Sequence, residues 1–148
     1  TWVISSTRQA RAGLPVIDLL NGGATGYGGG VSRHALDLEL RLSGRGFGLD
    51  IDGNWRGPSQ IRAGAVPTVT DLHFASLSRL DLRLWADVGT FAPDQAWAKG
   101  LRLTLNVDNV TDRRQRVRDG SGLTPLRYQP ALLDPRGRTV TLALRKTF

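Results

Sequence analysis

The chain of 148 residues contains no cysteine, no methionine and only two histidines. Without cysteine there is no disulfide framework and no thiolate metal site. His34 and His73, with no cysteine or close carboxylate set beside them, argue against a metal centre and leave no Ser–His–Asp arrangement to assemble. The missing methionine implies that the chain does not begin at its own translation start. Nothing before Thr1 reads as a signal peptide, and the opening TWVIS already has strand character, so a piece of a longer or processed protein is expected. No apolar run approaches the roughly 18 residues that a spanning helix needs. That excludes a helical membrane protein, but not a barrel, whose strands average to mild hydropathy.

What is present suits a single domain: 40% hydrophobic and 22% charged residues, with 18 glycines. The net charge of +7 is largely arginine, compatible with a nucleic acid, anionic lipid headgroups or a solvated polar surface. Six runs alternate with period two. The first, around Thr1–Thr7, is short and ragged. The second sets Leu36, Leu38, Leu40 and Leu42 against Asp37, Glu39 and Arg41. The third sets Phe47, Leu49, Ile51 and Trp55 against Asp50, Asp52 and Asn54. The fourth sets Leu80, Leu82, Leu84, Ala86 and Val88 against Asp81, Arg83, Trp85 and Asp87. The fifth sets Leu101, Leu103, Leu105 and Val107 against Arg102, Thr104, Asn106 and Asp108. The last sets Val140, Leu142, Leu144 and Phe148 against Thr139, Thr141, Ala143, Arg145 and Thr147. A helical period of 3.6 would scatter leucines and charges around the axis, so these are strands. Leucine is an average strand former, and the pattern rather than the propensity decides.

The links between runs differ in length. Ser43–Gly46 is a tight turn, and Gly89–Gly100 is intermediate; Arg8–Ser32, Gly57–Ala75 and Thr111–Gly137 are long. In an up-and-down meander every second link lies at the same end, so the short links share one end and the long links the other. That sorting is the signature of bacterial outer-membrane barrels, and a Greek-key sandwich has no reason to adopt it. The expected fold is therefore all-β: an antiparallel up-and-down meander of about six strands, a segment of a transmembrane β-barrel spanning 1–148.

The leucine faces would meet either a second sheet or lipid. Phe47 and Trp55 bracket the apolar face of the third run, eight residues apart. At about 3.3 Å per residue that is roughly 26 Å, close to the roughly 25 Å apolar band flanked by aromatic girdles. The sorted links and the aromatic at the end of the last strand point the same way. The opposite face, carrying Asp37, Glu39, Arg41, Asp50, Asp52, Asp81, Arg83, Asp87, Arg102, Asp108 and Arg145, would look into a lumen, its carboxylates pairing with Arg83, Arg102 and Arg145 or touching a plug. Slipping the second run by one residue would turn Arg41 to lipid at about 2–4 kcal/mol near the midplane.

Other patterns carry less. The run Arg113, Arg114, Arg116, Arg118 has no interleaved aromatics, so a loop in water or against lipopolysaccharide phosphates fits better than a nucleic-acid site. The Gly22–Gly30 stretch lacks the Gly-Lys-Ser/Thr of a phosphate loop and reads as an outer loop. Asn109–Thr111 matches a glycosylation sequon, which would mean little in a bacterial outer-membrane barrel.

The C-terminal third resembles the end of TonB-dependent outer-membrane receptors. It carries the penultimate-strand pattern Asn106-Val-Asp-Asn-Val-Thr-Asp112, a Tyr128-Gln-Pro130 step, an Asp134-Pro-x-Gly-Arg138 turn and a last strand ending in Phe148. The Gly53–Gly57 segment also looks like a receptor strand. The resemblance is specific in the last 48 residues and loose before Arg33. It implies that Val140, Leu142, Leu144 and Phe148 form the signal read by the outer-membrane assembly machinery, with Phe148 buried where the last strand closes against the first. Lys146, where an apolar residue is commonest, is expected to extend its ammonium to the headgroups. The resemblance further implies long loops outside the cell and location in the outer membrane of a Gram-negative bacterium, amid lipopolysaccharide. Its implied partners are the remaining barrel, a plug domain and a TonB-type energising complex reached through the missing N-terminal part. No nucleic acid, cofactor, metal or catalysis is implied. A receptor of this type imports scarce nutrients such as siderophore-iron, cobalamin or oligosaccharides; the substrate-binding residues are not legible here, and about 22 strands are needed. A self-contained eight-stranded outer-membrane barrel with a structural or adhesive role, needing two more strands within Arg8–Ser32 or Thr111–Gly137, is the alternative. A soluble β-sandwich binding module is the third.

Overall fold

The structure, a computed structural model, describes residues 1–9, 12–24, 30–64 and 66–148. Its strands are β1 (Thr7–Arg8), β2 (Ile17–Asp18), β3 (Ala35–Gly44), β4 (Phe47–Arg56), β5 (Ser59–Ile61), β6 (Leu72–Phe74), β7 (Leu77–Asp87), β8 (Leu101–Asp108), β9 (Val117–Asp119) and β10 (Thr139–Lys146). Among the described residues two single-turn α-helices, α1 (Val88–Phe91) and α2 (Pro130–Leu133), and a 3-10 turn over Leu126–Tyr128 interrupt the links. The fold is all-β with antiparallel sheets. Two compact units divide the chain: a sheet unit of Asp37–Asn54, Arg79–Arg113 and Arg136–Phe148, and a loop unit of Thr1–Leu36, Trp55–Ser78 and Arg114–Pro135.

The sheet unit holds the five long strands in the order β10-β8-β7-β4-β3, a meander in which each strand pairs with its neighbours in sequence among the long strands. The register follows from the alternation. Leu142 faces Leu105, which faces Leu84; Val140, Val107 and Leu82 form the next row, and Leu144, Leu103 and Ala86 another. The polar rows are equally consistent: Thr141–Asn106–Arg83 and Arg145–Arg102–Asp87. A side-chain period of two leaves one register in which leucine meets leucine across every ladder. Beyond β7, Gly53 lies beneath Leu38 and Leu80, with room for a Cβ 3.6 Å from each, so the leucine face runs on to β4 and β3.

Chain reversal between β3 and β4 uses two residues, Arg45 and Gly46, at φ 48° and 84°. Positive φ at both central positions is the type I′ geometry, whose twist matches that of a hairpin. Gly46 is also a close approach: a Cβ there would lie 2.6 Å from the Thr90 side chain, and its carbonyl accepts the Asp87 N–H at 2.7 Å. The β7–β8 link is thereby clasped to the turn. The end of the chain joins them, because the Thr147 N–H donates to the Gly100 carbonyl at 2.9 Å.

The long links are less open than their sequences suggest. Three-residue strands β5, β6 and β9 pair in that order, with Gln60 opposite His73 and His73 opposite Arg118. Phe74, Val117 and Tyr128 form a small core, flanked by Ile61 and Leu72, with Tyr128 meeting the Phe74 ring edge-on at 5.7 Å. Arg118 of the arginine run thus sits on a strand. The first run, expected as a strand over Thr1–Thr7, is instead a bridge between Trp2 and His34 followed by the two-residue pairing of β1 with β2. Runs this short make too few ladder hydrogen bonds for periodicity to reveal them. Positions 25–29 of the Gly22–Gly30 stretch lie outside the described residues.

The turn gives a direct test. Gly46→Val, forced to positive φ against Thr90, is expected to cost more than about 1 kcal/mol. Arg45→Asn, a residue at ease there, should leave the urea midpoint unchanged or raise it. Equilibrium unfolding in urea checks both.

Candidate functional site: the charged face and its flanks

Along the face opposite the leucines, residues from five strands, Thr141 of β10 among them, line a concavity of about 640 Å³. Arg41 of β3, Asp50 and Asp52 of β4, Asp81 and Arg83 of β7, and Asp108 of β8 border it. Alternation alone gathers them, since residues two apart on every strand point to one side. Asp37 and Glu39 precede Arg41 on β3, and Arg41 pairs with Glu39. The expected arginine partners divide. Arg102 forks onto Asp87, with Nε–Oδ1 at 2.6 Å and a second contact from Nη2 to Oδ2 at 2.9 Å. Arg83 instead donates to Asn106 Oδ1 at 2.9 Å, and Arg145 lies opposite Arg102 in the ladder. Trp85, an aromatic on a charged face, is explained by its neighbours. A Cβ at Gly48 would fall 2.3 Å from its ring, so the indole lies flat on the β4 backbone, with the Arg102 guanidinium 4.5 Å from its centroid.

Asp81 has a more local task. Its Oδ1 accepts the Asn109 N–H at 2.6 Å, where the chain leaves β8. Asn109 is buried at φ 52°; its side chain accepts from the Arg113 N–H at 3.0 Å and donates to the Arg113 carbonyl at 2.9 Å. Asp112, also at positive φ, accepts the Arg138 N–H at 3.0 Å just before β10 begins. Asparagine and aspartate tolerate the left-handed region and bond locally. The Asp108–Asp112 part of the motif is therefore a clasp that ends one strand and aligns the next.

Val140, Leu142 and Leu144, expected to belong to an assembly signal, lie on the leucine face of β10, and Phe148 follows the strand. One expectation changes here, at Lys146. Phe148 is fully exposed, following the outermost strand of the sheet that the described residues form. Lys146 does not extend outward: its ammonium donates to the carbonyls of Trp97, at 2.8 Å, and Lys99, and lies 5.7 Å from the Phe148 ring centroid. Unsatisfied carbonyls of the β7–β8 link hold it better than a free path to solvent.

The loop unit contains a second concavity that the sequence does not announce. About 390 Å³ is lined by Leu20, Arg33, His34, Gln60, His73 and Phe74, so both histidines of the chain border one cavity. The Gln60–His73 pairing and a Gly57 N–H donated to the His34 carbonyl at 2.9 Å bring them there. Among the described residues no group of three or more His, Asp or Glu is placed to hold a metal ion. Nearby, buried Asp71 accepts from the Ala63 N–H at 2.9 Å, the Thr68 N–H at 3.3 Å and the Thr68 hydroxyl at 3.1 Å. These bonds, the one from Ala63 first, hold its carboxyl below the usual carboxylate range.

Comparison with protein-family models, with curated proteins and with solved structures returns no match for this chain.

Two outcomes follow from this geometry. Asn109→Ala removes both side-chain bonds and leaves a Cβ residue in the left-handed region, an expected loss of about 2–3 kcal/mol. Asn109→Gly keeps the conformation and should lose about 1 kcal/mol less; paired urea titrations separate them. Because the Asp71 pKa is depressed on folding, its contribution is full above the ordinary carboxylate value of about 4 and is lost as pH falls through the folded value. Protection from hydrogen exchange at the Ala63 and Thr68 amides, taken relative to the intrinsic rate at each pH, should therefore fall below about pH 4, and Asp71→Asn should flatten that acid limb.

Proposed function

We propose that this chain is the C-terminal segment of the β-barrel of a TonB-dependent outer-membrane receptor, which imports a scarce nutrient rather than transforming one. The observation that carries the reading is the uncovered leucine face. Leu36, Leu38, Leu40, Leu42, Leu84, Leu103, Val140, Leu142 and Leu144 are all exposed, from 37% at Leu103 to 69% at Leu144. Soluble monomers rarely present a contiguous apolar patch above a few hundred Å². A band of this kind, bracketed on β4 by Phe47 and Trp55, suits hydrocarbon tails with aromatics at the two interfaces.

In this reading the charged face looks into the lumen. The concavity around Arg41, Asp50, Asp52, Asp81 and Asp108 meets the plug, and the long links serve ligand capture. Import then follows from plug displacement powered through a TonB-type complex at the inner membrane, with no bond made or broken by this segment. Lipopolysaccharide and the outer-membrane assembly machinery are its other partners. The strands formed by the described residues of Arg8–Ser32 and Thr111–Gly137 are the short β1, β2 and β9, outside the five-stranded sheet, which weighs against a self-contained eight-stranded barrel.

The test uses the whole parent polypeptide. It should fractionate with outer membranes and resist extraction by urea. Leu105→Arg, on the lipid side, should impair insertion by about 2–4 kcal/mol, whereas Thr104→Arg, on the lumen side, should be tolerated. Recovery of the protein in the soluble fraction, with both substitutions equally mild, would sink the reading.

A further inference from the structure

β3 is the outermost strand of the sheet, and β4 occupies only one of its sides. On its other side a pairing has already begun. The Thr1 nitrogen donates to the Ala35 carbonyl and the Ala35 N–H donates to the Thr1 carbonyl at 2.9 Å. Trp2 forms an antiparallel bridge with His34, and the Val3 N–H donates to the Arg33 carbonyl at 2.8 Å. Three consecutive pairs, Thr1–Ala35, Trp2–His34 and Val3–Arg33, share one register. Past Ala35 the outer edge of β3 continues through Leu36–Gly44, with no proline or lysine to discourage pairing and no sheet neighbour among the described residues. Natural sheets cover, twist or charge an edge of this length.

We infer that the outer edge of β3 is the pairing site for the polypeptide leading into Thr1, running antiparallel in the register set by Thr1 and Ala35. The inference rests on the barrel reading for the medium the leucines meet, but not for the pairing. Thr1 and Ala35 exchange both hydrogen bonds and are a hydrogen-bonded pair, so the pairs that flank it in the ladder are non-hydrogen-bonded. The residue just before Thr1 then faces Leu36, and the third, fifth and seventh before it face Leu38, Leu40 and Leu42. These four positions share the leucine face and should carry apolar side chains. The second, fourth and sixth, opposite Asp37, Glu39 and Arg41, should be polar or small. An occupant so placed extends the meander by one strand on the side away from β10.

Two measurements test this on the parent polypeptide. The first is its sequence before Thr1: apolar residues at the first, third, fifth and seventh preceding positions support the pairing, and a proline within the run or charges at those four positions overturn it. The second is disulfide formation between Leu38→Cys and single cysteines placed before Thr1. Non-hydrogen-bonded partners lie about 4.5 Å apart at Cα, within the range a disulfide spans. A cysteine at the third preceding position should crosslink, and those at the second and fourth, on the opposite face, should not. Crosslinking in a shifted register, or between the Leu38→Cys sites of two copies of the chain, overturns the assignment. If crosslinking fails while the protein still fractionates with outer membranes, the pairing is wrong and the barrel reading survives. If the crosslink forms in a soluble protein, the reverse holds.

Discussion

Each long strand of this protein must keep its leucines on one side, and almost everything else in the sheet depends on that constraint. Because the side-chain period is two, no partial error is available: a slip of one residue moves a whole row of leucines to the charged face and a row of carboxylates and guanidinium groups to the other. Rows such as Leu84–Leu105–Leu142 and Asp87–Arg102–Arg145 are two sides of one choice. The local devices serve it. Positive φ at Arg45 and Gly46 pins the first hairpin, and the Asn109 clasp delivers the chain from β8 towards β10 with its offset preserved.

How much of this was legible in advance depends on the length of each element. Strands of eight residues or more, such as β3, β7 and β10, repeat their pattern often enough to be read from alternation alone, and their neighbours follow from the lengths of the links. The β5–β6–β9 sheet escaped notice because three residues complete barely one period; its stability comes from Phe74, Val117 and Tyr128, which are far apart in sequence. The first run failed for the opposite reason. It alternates weakly, and its backbone groups are satisfied at Thr1 and Val3 and then in the separate pairing of Thr7 with Asp18, leaving no continuous strand.

The charged face was legible as a list of residues and much less as a set of partners. Alternation places Asp81, Arg83 and Asp87 on one side, but not which of them reaches across. Only Asp87 finds a guanidinium fork; Asp81 turns to a backbone amide, a donor that carries no label in sequence. Trp85 shows the same limit. Its place among charges makes sense only once Gly48 on a neighbouring strand leaves the space it fills. The cavity that unites His34 and His73 lies further still from pattern reading, since its walls join the segment before β3 to the short strands β5 and β6.

The grip of Lys146 on the carbonyls of Trp97 and Lys99 bears on how the sheet could be completed. A terminal strand ordinarily frays from its free tip, and fraying is where alignment is lost. Here the tip is tethered to the preceding link, so β10 is held straight at the end that would otherwise wander. An incoming strand would meet a rail already fixed in position, and could zip along it without first having to find its place.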